Sequence, residues 1–150
     1  MSVSKDIDID LKQAMLSGDK VLATTLRGLK SVILYEEVAK GARQAGLSDD
    51  AVVQLLSREA KKRQESADLY IRGGNKEKAE AELTEKKVIE KYLPEQISDE
   101  DLIAIIEESI KQSKATSMAQ MGQVIAAVKA KVGVNADGSK IALMVKERLT

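Results

Sequence analysis

The sequence of 150 residues contains no cysteine, histidine, tryptophan or phenylalanine, and it has three tyrosines and one proline. Each absence closes off chemistry. Without Cys there is no thiolate nucleophile, iron–sulfur cluster or disulfide framework. Without His there is no imidazole base poised near neutrality, no serine triad of the usual kind and no zinc site of the His or Cys type. With neither Trp nor Phe, a platform for stacking unpaired bases has only tyrosine rings and arginine planes to draw on. Catalysis would have to rest on Asp, Glu, Lys, Ser, Thr, Tyr or a metal held by oxygen ligands, and neither a metal nor another cofactor is expected.

Charge of one sign is also missing: 24 Lys and Arg balance 24 Asp and Glu. Up to Leu93 there are 17 basic and 16 acidic residues, and from Pro94 onward 7 and 8. A nucleic-acid partner would therefore have to be met by a local patch rather than a basic domain. No apolar run approaches the ~20 residues that span a bilayer, and the first ten residues alternate in charge where a signal peptide needs an apolar core. The expectation is a soluble, cytoplasmic protein without a membrane partner.

What is present is helix-forming sequence, rich in Ala, Lys, Glu, Leu and Ile, with β-branched residues scattered rather than alternating. The pattern predicts an all-α protein of seven helices and no strand. The first covers 6–17, with Ile7, Leu11, Ala14 and Met15 on one face and Gly18 as its end. Asp19 caps the second, to about Lys40, whose Leu22, Leu26, Leu29 and Ile33 follow a coiled-coil-like spacing. Ser48 and the acidic pair Asp49-Asp50 start the third, which runs to Arg72 with Val52, Leu55, Leu56, Ala60, Ala67 and Ile71 inward. Gly73-Gly74-Asn75 breaks it, and a fourth continues to about Tyr92 with Leu83, Val88, Ile89 and Tyr92 as its apolar side. Pro94 biases Leu93 away from helical geometry, which places a boundary there. Residues 1–93 then form a bundle of about four helices, and 94–150 a small domain of three. In the latter, Ser98 caps a helix with Leu102, Ile105, Ile106 and Ile110, and Ser117 opens 118–132 with Met121, Val124, Ile125 and Val128. Asp137 caps the last helix, with Ile141, Val145 and Leu149.

Carboxylates adjacent in sequence diverge by about 100° on a helix and do not share a site. Asp49-Asp50 and Asp99-Glu100-Asp101 occupy first turns and read as helix caps. Glu59 with Arg63, Asp68 with Arg72, and Glu82 with Lys86 read as solvated pairs four residues apart. The turn Asn135-Ala136-Asp137-Gly138-Ser139-Lys140 lacks the ligand spacing of a calcium loop and the second glycine of a phosphate loop. It does deliver a helix N-terminus whose N–H groups can face an anion. Lys114, Lys129, Lys131 and Lys140 bracket this turn and the one around Gly122, an arrangement suited to phosphate contacts with folded RNA. A second basic set, Lys20, Arg27 and Lys30 with Arg58, Lys61, Lys62 and Arg63, forms one face only if the second and third helices lie side by side.

Several ordered stretches resemble one family. Leu11-Lys12, Ala14-Met15, Gly18-Asp19-Lys20, Thr25-Leu26-Arg27, the run from Glu59 to Ala67 and Tyr92-Leu93-Pro94-Glu95-Gln96 are similar to the YqeY proteins of the GatB/YqeY family. Met118, Met121-Gly122-Gln123-Val124 and Ala136-Asp137-Gly138-Ser139-Lys140 resemble the tail domain of the B subunit of glutamyl/aspartyl-tRNA amidotransferase. The resemblance implies an all-helical chain whose C-terminal domain helps hold tRNA. It also brings the family's description as a carbon–nitrogen ligase with glutamine as amido donor. In the larger enzyme that chemistry, with its ATP and magnesium, belongs to a cradle domain that has no counterpart here. Nor does this sequence carry an amidase serine–lysine signature, a glutaminase cysteine or a nucleotide fold.

The expectation is thus a non-catalytic tRNA- or RNA-binding accessory. Lys114, Lys129, Lys131 and Lys140 would meet phosphates, and Gly122 and Gly138 would let the backbone approach. The alternative is a protein-interaction adaptor, for example for an amidotransferase subunit.

Overall fold

The computed structural model describes residues 2–150, and over them it is all-α, with seven α-helices and no strand. The chain divides into two compact units, Met1–Leu93 and Pro94–Thr150.

The first unit is two helical hairpins. Helix α1 (Val3–Ser17) packs on α2 (Lys20–Ala39), and α3 (Asp49–Arg72) runs along α4 (Lys76–Glu90), with contacts between α1 and α3 joining the pairs. The caps are local chemistry. The side chains of Asp19, Ser48 and Asn75 accept the amides of Leu22, Ala51 and Lys78, each such cap being worth about 1 kcal/mol. Between α1 and α2, Gly18 adopts φ 76°, a left-handed turn that costs a side chain energy and glycine little.

The core gathers Ile7, Leu11 and Ala14 from α1, Leu26, Leu29 and Ile33 from α2, Val52, Leu55, Leu56 and Ala60 from α3 and Ile89 from α4. Burying each large side chain contributes roughly 1.5–3 kcal/mol before entropy is charged against it. Farther along the second hairpin, small residues take over: Ala67 and Ala79 are buried there.

Four expectations from the sequence are corrected here. Helix α1 begins at Val3, because Ser2 Oγ accepts the Lys5 amide at 3.2 Å and caps a turn that the charge pattern had hidden. Met15 is exposed, lying one helical step round from the Ile7–Leu11–Ala14 stripe. Ile71 is also exposed, since the core cluster ends on α3 at Ala60 and leaves no apolar wall for it. Helix α4 stops at Glu90, and Tyr92 and Leu93 follow in a turn whose amides bond to Ile89 and Glu90 carbonyls at 3.0 and 3.1 Å.

The second unit is α5 (Asp99–Ser113), α6 (Met121–Val132) and α7 (Gly138–Leu149) around Leu102, Ile106, Val124, Val128, Val132, Ile141, Val145 and Leu149. Ser98 caps α5 and Asp137 caps α7. The segment before α6 differs from expectation: Met118–Gln120 is a 3-10 turn and Ser117 makes no side-chain cap. Instead the Gln120 side chain accepts the Thr116 amide at 2.7 Å. Ile97 ties the start of the unit to its last turn by donating to the Asn135 carbonyl at 2.8 Å.

Candidate functional site

Helix α6 ends on Lys129 and Lys131, where ammonium groups offset the carbonyl end of the helix. The chain then reverses through Gly133, at φ 56°, and re-enters helix at Gly138. This reversal sets the end of α6 beside the start of α7. A β-carbon on Gly138 would lie 3.2 Å from Lys129 Cε and 3.3 Å from its Nζ, so the ammonium rests on the bare backbone of that glycine. Lys129 makes no ion pair among the described residues. Beside it, the Asp137 carboxylate accepts the Ser139 amide at 3.0 Å. The other N–H groups of the first turn have no acceptor within the helix. The Lys129 ammonium thus lies against a first turn that the Asp137 carboxylate caps.

The neighbouring lysines are placed differently from one another. Lys131 donates to Ser109 Oγ at 3.2 Å and to Gln112 Oε1 at 3.3 Å, so it fastens α6 to α5 through neutral partners and keeps its charge uncompensated. Ser109 is buried, a polar side chain within the core of the second unit. Lys140 is held by Asp99. Lys114 is exposed at the end of α5 with φ 54°, the left-handed geometry normally given to glycine or asparagine. Gly122 is exposed in the first turn of α6, and a β-carbon there would meet nothing within 4 Å.

In the first unit, several of the basic residues are engaged one by one. Lys30 pairs with Asp8 of α1 at 2.6 Å, and Lys62 pairs with the buried Glu59 at 3.1 Å. Arg63 reaches across to α4, 3.1 Å from Glu85 and 3.6 Å from Glu82. It is a clasp of the second hairpin rather than the partner of Glu59 that its spacing suggests. Lys86 likewise crosses to Gln64 at 2.8 Å and meets Glu90 at 3.4 Å, rather than the Glu82 its spacing suggests. Lys20, Arg27, Arg58 and Lys61 are exposed. Lys30, Arg63 and Lys86 reach partners on other helices, which local spacing does not reveal, whereas Lys62 pairs within α3.

A further polar site joins residues far apart in the sequence. Tyr92 donates a short hydrogen bond to Asp10 Oδ2, 82 positions away in the chain, at an open cleft of about 360 Å³ lined by Asp6, Ile9, Asp10, Lys91 and Tyr92. Burial of the phenol, then its bond to Asp10 and the negative charges of Asp10 and Asp6, push its pKa well above the ordinary value. Tyr92 therefore stays protonated and acts as a donor that positions Asp10. Among the described residues, no three His, Cys, Asp or Glu side chains gather as a set for a metal ion, and no helix is long and apolar enough to cross a membrane.

Two helical units, the second with the Lys129 side chain resting on Gly138 at the start of α7, define an all-α protein. A family model of YqeY-like proteins matches residues 4–149, and the chain belongs to that family. A protein of Lachancea thermotolerans, altered inheritance of mitochondria protein 41, mitochondrial, is 32% identical over 84 residues, which are 56% of this chain and 44% of that protein. The match therefore spans less than half the length of this relative.

Proposed function

We propose that this YqeY-like protein is a non-catalytic module that binds tRNA or another folded RNA, an accessory to tRNA-dependent amide transfer. On this reading, the C-terminal unit serves as the tail domain does in the amidotransferase B subunit. The observation that carries it is the Lys129 ammonium on Gly138. A cation without an anionic partner stands at the positive end of a helix, an arrangement that a phosphate oxygen would relieve from both sides. Lys131 and Lys114 add charge in the same unit, Lys140 joins when it exchanges Asp99 for phosphate, and Gly122 lets a backbone approach. With only three tyrosines in the chain, recognition rests on phosphate position and shape rather than on stacking.

Gel-shift titration of the full chain with folded tRNA, and with an unstructured strand of equal length, tests this. Tighter binding of the folded RNA supports the reading. Equal binding of both, or none at low salt, refutes it.

A second reading, an adaptor for a protein such as an amidotransferase subunit, draws on Leu69 and Ile71, apolar and exposed near the end of α3. It requires capture of that subunit that survives nuclease treatment and is lost in Leu69→Glu/Ile71→Glu.

A further inference from the structure

The second unit holds one of its lysines against a carboxylate of its own. Lys140 of α7 is ion-paired with Asp99 of α5, 41 positions away in the chain. A separate contact secures this neighbourhood: the Ile97 amide donates to the Asn135 carbonyl at 2.8 Å and ties the approach to α5 to the turn before α7. The starts of the two helices are thus set side by side. Helix α5 carries Asp99, Glu100 and Asp101 in its first turn, whereas α7 has no acidic residue there and carries Lys140.

An ammonium in the first turn of a helix faces the positive end of the dipole. Lys140 therefore stands where an anion belongs, and Asp99 supplies that anion from the neighbouring helix. Asp99 does not depend on Lys140 in return. It lies in the first turn of α5, whose dipole stabilises a carboxylate, and its side chain is 66% accessible, so water receives it when the pair opens. Exposed pairs of this kind contribute little to stability. A competing anion opens this one readily, provided that it is held at a comparable effective concentration.

We infer that Asp99 is a built-in competitor for phosphate at Lys140, which keeps the ammonium from isolated anions and yields it to RNA already held by other lysines of the unit. This rests on the RNA-binding reading above and adds to it a selectivity for many linked phosphates over one. A carboxylate carried by the same folded unit acts at a high effective concentration, whatever the solution contains. A free phosphate ion has to displace it unaided. RNA anchored elsewhere on the unit, as at Lys129, presents its next phosphate at a similarly high effective concentration and competes on equal terms.

Titration of the full chain with folded tRNA, in chloride and in inorganic phosphate of equal ionic strength, tests the inference. The proteins compared are the parent, Asp99→Asn and Asp101→Asn, each with and without Lys140→Gln. Asp101 lies about 200° round the helix from Asp99 and makes no ion pair among the described residues, so Asp101→Asn measures the general effect of removing one negative charge from the same turn. Asp99→Asn is expected to bind tRNA up to about fivefold tighter in chloride, by more than Asp101→Asn does, and to lose more affinity than the parent when phosphate replaces chloride. With Lys140→Gln present, the two substitutions are expected to act alike. A gain no greater than that of Asp101→Asn, an excess gain that survives Lys140→Gln, or equal sensitivity to phosphate in parent and Asp99→Asn overturns the inference while the RNA-binding reading stands. A parent without tRNA affinity overturns that reading, and the inference with it.

Discussion

Lys129 and Lys114 illustrate how single residues connect stability with binding. The Lys129 tip is the flexible end of a side chain, so the extra methyl of Gly138→Ala displaces it by a few tenths of an ångström at little cost to the fold. That variant is expected to keep its melting temperature and lose tRNA affinity, as a melting curve and a gel shift will show. Lys114 holds φ 54° as a non-glycine residue. Lys114→Gly is therefore expected to raise stability in urea by about 1 kcal/mol, while weakening tRNA binding if this ammonium meets a phosphate. Tyr92 bears on pH. Its proton is held more tightly in the folded chain, so the unfolded chain gives it up first and stability falls as pH rises above the ordinary phenol value of 10.0. Tyr92→Phe removes that titration and should flatten the alkaline limb of the stability profile. At this scale the sequence was only partly readable. Asp137 as a cap and Gly18 as a helix end follow from local chemistry. Buried Ser109 and the bond between Tyr92 and Asp10 depend on contacts 22 and 82 positions away.

At the scale of elements, caps and periodicity located the helices to within a few residues, because both are local signals. Ser48→Ala is expected to cost about 1 kcal/mol through the lost cap on Ala51, measurable by urea denaturation. The α3–α4 hairpin was less legible. Glu59, Arg63, Glu82 and Lys86 are spaced to pair within their own helices, yet Arg63 and Lys86 reach across the hairpin. Small buried residues permit that closeness, and Ala67→Leu, which adds volume at a fully buried position, should cost about 1–3 kcal/mol by overpacking. Arg63→Ala should cost no more than about 1 kcal/mol, since its partners are reached from a half-exposed position.

At the scale of the whole molecule, a net charge of zero hides an uneven distribution of free charge. Lys30, Lys62, Arg63 and Lys140 have carboxylate partners, whereas Lys114, Lys129 and Lys131 have no ion pair among the described residues. Composition gives the total, and only the fold separates neutralised cations from uncompensated ones. That is why the family and the all-α class could be read from the sequence while the candidate interface could be read only as a set of lysines. If uncompensated charge in the C-terminal unit meets RNA phosphate, counterion release reports it. The slope of log affinity for tRNA against log salt should be clearly negative for the full chain, and shallower by about one in Lys129→Ala. An unchanged slope in that variant, or no measurable affinity at low salt, would rule out a phosphate contact at Lys129.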